Sequence, residues 1–338
     1  MRILLTGGAG YIGSHTAIAV LEAGHEVVLF DNFCNSGRDV PARIETLSGR
    51  PVPVVEGDVR DTALLAATLR DSAVDAVIHF AGLKAVGEAV ENPLPYYDNN
   101  VRGSLGLIEA MSDAGVRTLV FSSSATVYGQ PQYLPLDEAH PTGATNPYGR
   151  SKLIVEQMLA DIAAAGPDWR IAVLRYFNPV GAHPSGTIGE DPSGVPNNLM
   201  PFINRVAAGR LPELAVFGND YDTPDGTGVR DYIHVSDLAA GHLAAISAIR
   251  SGTRPIETWN LGTGQGYSVL EMVRAFEAAT GASIPYRIAP RRPGDVASCY
   301  ADPAKAREEL GWEAKLGLAE MCASGWKFER TVAESNSR

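Results

Sequence analysis

Cysteine is scarce in this sequence, and its few copies are scattered. Cys34, Cys299 and Cys322 are the three cysteines among 338 residues, and none belongs to a Cys-x-x-Cys pair. An odd number of widely spaced cysteines suits neither a disulfide framework nor a cysteine-based metal site. We therefore expect a cytoplasmic chain whose thiols stay reduced.

Long apolar runs, metal-type histidine pairs and an excess of basic residues are also missing. No apolar run reaches the length of about 20 residues that spans a membrane, and residues 1–6 are too short an apolar start for a signal peptide. The seven histidines form no HxxxH or HExxH pattern, so we expect no metal. With 28 basic and 39 acidic residues, the chain does not suit a nucleic-acid surface, whereas small anionic ligands remain possible.

Apolar residues and glycine, in contrast, are plentiful. A chain of 338 residues with 45% apolar residues and 35 glycines can bury a large core and divide into about two domains. In the first half, strand patterns alternate with helical ones. This alternation predicts an α/β fold with a doubly wound parallel sheet. The predicted strands are 2–6, 26–30, 53–56, 76–80, 116–121 and 172–175, and the predicted helices are 14–23, 61–70, 95–114 and one that begins near 148 and includes the apolar run 152–162.

The first β-α-β unit carries a glycine-rich turn. Gly7, Gly10 and Gly13 lie between the first strand and the first helix, and Asp31 ends the next strand about 20 residues beyond Gly10. Glycines there let the backbone turn tightly and approach a pyrophosphate, while the acid would bond the adenosine ribose. Because Asp31 would repel a 2′-phosphate, we expect NAD rather than NADP. The alternative is an ordinary glycine turn without a ligand.

Polar residues follow several later strands, at the sheet edge where ligands bind in doubly wound folds. Asp58 is placed to reach the adenine edge, residues 80–84 to line the cofactor, and the serines at 122–124 to face the nicotinamide. Taken singly, each is also an ordinary strand end. Their shared position at carboxyl ends is what favours a site.

Tyr148 and Lys152 are four residues apart at the start of a predicted helix, so they share one face. A tyrosine with a pKa of about 10 needs roughly 4 kcal/mol of preferential phenolate stabilisation to titrate near pH 7, and an ammonium at about 4 Å supplies that much. This pair predicts an acid/base tyrosine assisted by a lysine. The alternative is a surface tyrosine and lysine on an amphipathic helix.

The pattern changes after residue 176, where Pro, Gly, Asn and Asp become frequent and strict alternation is lost. We predict a dinucleotide-binding domain over 1–178, with returning elements near 230–262, and a smaller α/β substrate domain over 179–338. The predicted strand 258–261 should rejoin the first sheet. Arg291 and Arg292 lie on a Pro-Gly turn, which suits bidentate capture of phosphate, although a solvated surface turn is the alternative.

These motifs together resemble the extended short-chain dehydrogenase/reductase family, and in particular its UDP-sugar 4-epimerases. The resemblance covers about residues 1–330. It includes TGGAGYIGSHT at 6–16, HFAGLKAVGE at 79–88, SSSATVYG at 122–129, PYGRSKL at 147–153, LRYFNPVGAHPSG at 174–186, DGTGVRDYIHV at 225–235 and APRRPGD at 289–295. It implies a Rossmann domain with bound NAD, a UDP-sugar substrate, a role in galactose metabolism and a homodimer.

The resemblance also implies roles for individual residues. Tyr148 would be the acid/base, Lys152 would lower its pKa and hold the nicotinamide ribose, and Ser124 would bond the sugar hydroxyl. The residues expected around NAD are Gly7, Gly10, Tyr11, Ile12, Gly13, Asp31, Asn32, Asn35, Ser36, Asp58, Val59, Phe80, Ala81, Gly82, Lys84, Asn99, Ser122 and Phe177, with Tyr148 and Lys152. Those expected around UDP and the sugar are Asn178, Asn198, Leu199, Phe217, Arg230, Arg292, Asp295 and Cys299, with Ser124 and Tyr148.

One departure and two alternatives bear on the activity. Cys299 stands where enzymes confined to glucose and galactose carry a tyrosine, which predicts that N-acetylated sugars are accepted too; the alternative is that it is merely a small buried residue. A nucleotide-sugar 4,6-dehydratase would need an Asp-Glu pair after the serine strand, where this chain has Ala125 and Thr126. An NAD-sensing regulator would have no use for the serine, tyrosine and lysine set.

Overall fold

Seven parallel strands form the main sheet of the protein. The structure, a computed structural model, describes residues 1–336 except Ser193, Val195, Asn197 and Pro293, so Pro293 of the motif at 289–295 lies outside it. The sheet strands are β1 (Arg2–Thr6), β2 (Glu26–Asp31), β3 (Val54–Glu56), β4 (Ala76–His79), β5 (Thr118–Ser124), β6 (Arg170–Tyr176) and β10 (Ile256–Leu261). Their spatial order is β10-β6-β5-β4-β1-β2-β3.

This order confirms the predicted doubly wound α/β fold. The direction of winding reverses between β1 and β4, which pair in parallel, and ligands bind beside such a switch point. The strand predicted at 258–261 rejoins the sheet as β10 and pairs with β6. The helices that flank the sheet are α1 (Tyr11–Glu22), α2 (Val40–Ser48), α3 (Thr62–Asp71), α4 (Val86–Glu91), α5 (Leu94–Tyr96), α6 (Gly103–Ala114), α7 (Pro147–Ala165) and α9 (Val235–Ser251).

Both faces of the sheet are buried, because strand side chains alternate between two apolar cores. Ile3 and Leu5 of β1 pack in one core, whereas Leu4 packs in the other. The first core includes residues of α1 and α9, and the second includes residues of α3, α6 and α7. The near-continuous apolar strands of the sequence therefore mark strands that are covered on two sides.

Smaller sheets build the rest of the molecule. Strand β9 (Val229–His234) pairs with β7 (Asn178–Val180), β11 (Gly266–Ser268) and β13 (Ser298–Cys299), and β8 (Leu214–Phe217) pairs with β12 (Tyr286–Ala289). A separate apolar core lies here and includes Met200, Phe276 and Met321. The helices of this part are α8 (Leu199–Ala207), α10 (Val269–Thr280), α11 (Ala304–Leu310) and α12 (Leu318–Asn336). Across the described residues, no helix is long and apolar enough to cross a membrane.

The predicted helix 95–114 is helical but not regular. A π-helical segment (Tyr97–Arg102) separates α5 from α6. Inside it, the buried side chain of Asn100 bonds the backbone of Leu83 and the hydroxyl of Ser151. Because a π-helical turn moves one side chain out of the α-helical register, Asn100 reaches partners that a regular helix would miss. Hydrophobic spacing alone carried no sign of this interruption.

The buried carboxylate of Asp231 joins the two parts of the molecule. It is fully buried in β9 and accepts hydrogen bonds from the backbone N–H groups of Thr263, Gly264 and Ala301, and from the Thr263 hydroxyl. Burial raises the pKa of Asp231, and these donors oppose the shift. The loop after β10 and the loop after β13 are therefore held by one side chain.

We expect Asp231→Asn to lower the free energy of unfolding by about 1–3 kcal/mol, because the new amide group would face N–H donors and leave one unsatisfied. Chemical denaturation measures the change. The exposed Asp222→Asn is the matched control and should shift stability by less than about 0.5 kcal/mol. Equal effects of the two substitutions would contradict this account.

Candidate active site

The glycine-rich turn after β1 lies against the segment that follows β4, the neighbouring strand at the switch point. Gly7 has a φ of +68°, and a β-carbon there would lie 2.7 Å from the backbone nitrogen of Ala81. A β-carbon on Gly13 would collide with the carbonyl oxygen of Gly7. Gly10 caps α1 and, within the described residues, no side chain caps the first turn of that helix. This end of α1 is shaped to accept an anion.

Asp31 and Asp58 stand at the ends of neighbouring strands. Asp31 accepts from the backbone nitrogen of Ala9 at 2.9 Å, which ties the end of β2 to the glycine turn, and also from the hydroxyl of Ser36 at 3.1 Å. Asn32 donates to Asp58 at 3.0 Å. Hydrogen bonds from Arg60 hold the pKa of Asp58 well below its usual range. Two carboxylates therefore lie where a ribose or an adenine would be recognised.

The turn after β4 is clamped from two sides. Asn100 bonds both the N–H and the carbonyl of Leu83, which fixes the segment 80–84. Lys84 pairs with Glu190 at 2.7 Å, and Asn198 donates to the same Glu190 oxygen, also at 2.7 Å. The carboxylate of Glu190 thus links a residue expected around NAD to one expected around the UDP-sugar.

Ser124, Tyr148 and Lys152 come together at the end of β5. The Ser124 oxygen accepts from the N–H and the hydroxyl of Thr126, at 3.2 and 2.9 Å, so its own proton is free to donate to the Tyr148 phenol. The ammonium of Lys152 is buried and donates to the carbonyl of Ser122 at 2.8 Å. Asn146 caps α7 by accepting from Gly149, which starts the helix that carries both groups.

The pKa of Tyr148 differs from the sequence-based expectation. Burial raises it above its usual value, and the hydrogen bond from Ser124 opposes that rise. The ammonium of Lys152 is bonded to Ser122, and burial lowers the pKa of Lys152 to about 8. In the protein alone, therefore, the lysine does not bring the phenol into the neutral range. The physical reason is that desolvation disfavours the charged form of both groups.

A positively charged cluster lies in the second part of the molecule. The carboxylate of Asp295 sits between two guanidinium groups, 3.7 Å from Arg230 and 3.1 Å from Arg292. Arg292 also stacks over the ring of Phe217, with 4.7 Å from its central carbon to the ring centroid. Two cations and one anion leave a net positive charge. A flat ring beside guanidinium donors is chemically suited to a nucleotide diphosphate.

Cys299 lies beside this cluster and also near the serine. In the pairing of β13 with β9, Cys299 is opposite Arg230. Its side chain packs against a small core that includes Ala125, Val127 and Phe177. Burial raises the pKa of the Cys299 thiol to about 11, so the group is a neutral thiol. The cysteine therefore lies between the cationic cluster and the turn after Ser124.

Several predicted site residues have clear packing roles. Val59 is buried under the second core of the sheet, and Phe80 packs on the first core with its ring 4.9 Å from that of His242. Leu199 begins α8 and packs on the separate core around Phe276. The Tyr11 hydroxyl donates to the carbonyl of Gly181 at 2.7 Å. Asn35 is exposed, Asn99 is partly buried in the π-helical segment, and Asn178 begins β7.

Sequence reasoning missed three residues that shape the site. Thr126 orients Ser124, Asn100 clamps the segment 80–84, and Glu190 links Lys84 to Asn198. An amide on the apolar face of a helix was a usable signal for Asn100. Glu190 lies in an irregular segment without periodicity, so no sequence signal pointed to its partners. Among the described residues, no three His, Cys, Asp or Glu side chains are grouped to hold a metal.

Comparison with known proteins identifies the family. The model of the NAD dependent epimerase/dehydratase family matches residues 3–262. The chain is 56% identical to the UDP-glucose 4-epimerase of Bacillus subtilis over 329 residues, with 97% of each chain covered. It is also 56% identical to the human UDP-glucose 4-epimerase over 338 residues, covering 97% of this chain and 96% of the relative.

Two solved structures are similar over nearly the whole chain. One is a UDP-glucose 4-epimerase from Stenotrophomonas maltophila with bound NAD and formylated UDP-arabinopyranose, with a TM-score of 0.97, 54% identity and 99% of both chains covered. The other is a UDP-glucose 4-epimerase from Bifidobacterium longum in complex with NAD⁺ and UDP, with a TM-score of 0.95, 53% identity and 98% of both chains covered. Because the family model matches more than half of the sequence and such close relatives span its length, this chain belongs to the NAD dependent epimerase/dehydratase family.

Proposed function

We propose that this protein interconverts UDP-hexoses by reversible inversion at carbon 4 of the sugar, with NAD bound throughout. The observation that carries the proposal is the grouping of Ser124, Tyr148 and Lys152 at the end of β5 and the start of α7. This group lies at the same sheet edge as the glycine turn. A serine, a tyrosine and a lysine arranged in this way can move one proton on and off a sugar hydroxyl.

The glycine turn supports a dinucleotide as the cofactor. A β-carbon at Gly7 or Gly13 would fill space against neighbouring backbone, so the turn leaves room only for glycine and a closely approaching ligand. Asp31 would hold the adenosine ribose, and the uncapped end of α1 would face the pyrophosphate. Bound NAD supplies the acceptor and later the donor of the hydride at carbon 4. The same hydride must return to the same sugar, so NAD should not leave between the half-reactions.

Tyr148 is proposed as the group that holds the travelling proton. Its phenol oxygen accepts a hydrogen bond from Ser124, which stabilises the phenolate relative to the phenol. As a phenolate it would take the proton from the sugar O4 during oxidation. As a phenol it would return that proton to the O4 oxygen when, after the sugar has rotated, the hydride is returned to the other face of carbon 4. Ser124 would hold the O4 oxygen in both orientations.

Lys152 is proposed to supply the positive charge that this tyrosine needs. Its ammonium is anchored on the Ser122 carbonyl and lies over the ring of Phe121, 4.9 Å from the centroid. Burial lowers the pKa of Lys152 to about 8, so the ammonium form still predominates at neutral pH. A hydroxyl of the nicotinamide ribose is a suitable acceptor for its remaining donors.

The UDP moiety must stay fixed while the hexose rotates. Arg230 and Arg292 are proposed to bind the diphosphate, with Phe217 against the nucleotide and Asp295 bridging the two guanidinium groups. Asn178, Asn198 and Leu199 are proposed as further contacts of the UDP-sugar. Strong binding of the diphosphate together with few contacts to the sugar would let the keto intermediate rotate within the site.

A dehydratase is less well supported, because the chain lacks a second acid at the required position. Thr126, which follows the serine strand, donates its hydroxyl to Ser124 at 2.9 Å and has no carboxyl proton to transfer. Elimination of water from a keto sugar needs such a donor. Epimerisation needs only the tyrosine.

The breadth of substrates is proposed to depend on Cys299. This residue lies opposite Arg230 and packs toward Ala125 and Phe177, between the diphosphate cluster and the serine. A thiol occupies much less volume than a phenol ring, which leaves room for an acetamido group at carbon 2. We therefore propose that UDP-GlcNAc and UDP-GalNAc are interconverted in addition to UDP-glucose and UDP-galactose.

The protein is also proposed to be a homodimer. Large apolar side chains are exposed on neighbouring helices, with Leu94 76% exposed, Val90 56% and Leu105 43%. These residues lie on α4, α5 and α6, beside the helix that carries Tyr148. A cluster of exposed apolar residues on packed helices suits a contact with a second copy.

Replacing Tyr148 should remove catalysis but not binding. We expect Tyr148→Phe to lower kcat by about 10²–10⁴-fold, because no other group at O4 can exchange the proton. UDP affinity, measured by calorimetry, should remain within about twofold of the wild-type value. Arg292→Ala is the contrasting control: it should weaken UDP binding and raise KM with a smaller effect on kcat. Near-normal turnover by Tyr148→Phe would refute the assignment.

Replacing Cys299 should separate the two classes of sugar. We expect Cys299→Tyr to lower turnover of UDP-GalNAc by about tenfold or more relative to UDP-galactose, because the ring blocks only the larger substituent. Cys299→Ser is the control for the thiol itself and should keep both activities. Absence of UDP-GalNAc turnover in the wild type, or an equal loss of both activities in Cys299→Tyr, would contradict the pocket proposal.

An acidic residue in the exposed apolar cluster should disrupt the dimer. We expect the double substitution Leu94→Glu and Leu105→Glu to shift the sedimenting species from dimer to monomer at micromolar concentration, because two buried charges would oppose the interface. Val54→Glu, on an exposed residue of β3, is the matched control and should leave the mass unchanged. A monomeric wild type would rule the dimer out.

A further inference from the structure

Helix α7 is joined to the end of β5 by a regular set of contacts. Three consecutive serines of the strand contact three helix residues that are spaced four apart, and therefore lie on one face of the helix. These contacts are Ser124 with Tyr148, Ser122 with Lys152, and Ser123 with Glu156. Two of the three helix residues belong to the proposed active site. The third, Glu156, has no part in the proton transfer described above.

Glu156 is held more firmly than either of the other two. Its carboxylate accepts from the Ser123 hydroxyl and receives Arg175 in a bidentate pair, with N–O distances of 3.1 and 2.7 Å. Both side chains of the ion pair are only 9% exposed. Compared with apolar residues of the same size, such a buried pair adds little to the free energy of unfolding. Its best-documented role is to fix the register in which two elements pack.

Arg175 extends the anchor into the sheet. It lies in β6, where it is paired with Ser123 of β5, and it donates to the hydroxyl of Tyr128 at 3.1 Å. Tyr128 in turn donates to the side chain of Asn260 in β10 at 2.6 Å. Helix α7 is thereby tied through Glu156 to three adjacent strands. A rotation or slide of the helix would break the bonds of Glu156 to Ser123 and Arg175.

Glu156 also acts on Lys152, which lies one turn earlier on the same helix. Of the other titratable groups nearby, His79 at the end of β4 faces the ammonium, and Tyr176 at the end of β6 lies near Tyr148 on α7. Burial lowers the pKa of His79 to about 3 and raises the pKa of each tyrosine, so all three are neutral near pH 7. The carboxylate of Glu156 opposes the effect of burial on the pKa of Lys152.

We propose that Glu156 is a positioning residue that locks the serine strand to the catalytic helix and keeps the ammonium of Lys152 charged. This inference rests on the proposed function, because Ser124, Tyr148 and Lys152 are the groups it aligns. Glu156 touches none of the reacting atoms. It acts through Ser123 on the strand side and through Lys152 on the helix side.

The main test is Glu156→Gln, which keeps the size of the side chain and removes its charge. We expect kcat to fall by about tenfold, a loss of about 1.4 kcal/mol of transition-state stabilisation, with KM for the UDP-sugar within about twofold. An anion favours the protonated form of a neighbouring ammonium, so its removal lowers the pKa of Lys152. The alkaline limb of the kcat profile should then move to lower pH.

Two further variants separate charge from anchoring. Ser123→Ala removes only the bond between strand and helix and retains the ion pair, so it should lower kcat several-fold without moving the pH profile. Glu109→Gln, at an exposed position of α6, is the matched control and should change neither quantity. If Glu156→Gln does not fold, an unchanged kcat in Ser123→Ala overturns the anchoring role.

A spectroscopic measurement makes the test independent of turnover. The phenolate absorbance of Tyr148, obtained by subtracting the Tyr148→Phe titration, should move to higher pH in Glu156→Gln, because the proposed loss of charge on Lys152 removes a cation that favours the phenolate. An unmoved titration, or a loss of stability with an unchanged pH profile, would overturn the inference. A wild type without epimerase activity would contradict the proposed function instead.

Discussion

The contact between the end of β5 and the first turns of α7 sets the geometry on which the rest of the site depends. The serine that would bond the sugar comes from the strand, whereas the tyrosine and the lysine come from the helix. A small shift between the two elements would separate groups that must share one proton. Buried polar contacts cross this boundary, including those of Ser122 with Lys152 and of Ser123 with Glu156. Polar bonds of this kind have one satisfied arrangement, whereas apolar packing tolerates sliding.

Burial has opposite effects on the two ionisable groups of the site. It raises the pKa of Tyr148 and lowers the pKa of Lys152 to about 8, because a desolvated site disfavours any charge. The ionised form of the tyrosine is therefore favoured when the lysine is charged, and the charged form of the lysine is favoured when the tyrosine is ionised. The Ser124 hydroxyl and the Glu156 carboxylate already favour the ionised forms of their respective partners.

The two ends of the site are built on different principles. The dinucleotide end relies on backbone that approaches closely, as at Gly7 beside Ala81, and hence on a rigid sheet edge. The proposed UDP end consists of long side chains such as Arg230 and Arg292, which Asp295 bridges. A rigid backbone surface suits a cofactor that remains bound between half-reactions. Arginine side chains, which can change rotamer, suit a substrate that binds and is released in each catalytic cycle. Glu190 joins the two ends by bonding both Lys84 and Asn198.

The sequence by itself determined the α/β sheet, the glycine turn with Asp31, the return of β10 and the four-residue spacing of Tyr148 and Lys152. Each of these depends on local periodicity or on short-range spacing, which a linear chain displays directly. Only the tertiary structure decided that Glu156 pairs with Arg175, that the helix is interrupted around Asn100, and that Glu190 reaches Lys84. These contacts join residues far apart in the chain, and their partners are chosen by the packing of the sheet rather than by neighbours in sequence. The pKa of Tyr148 belongs to the same class, because burial is a property of the folded molecule and carries no local sequence signal.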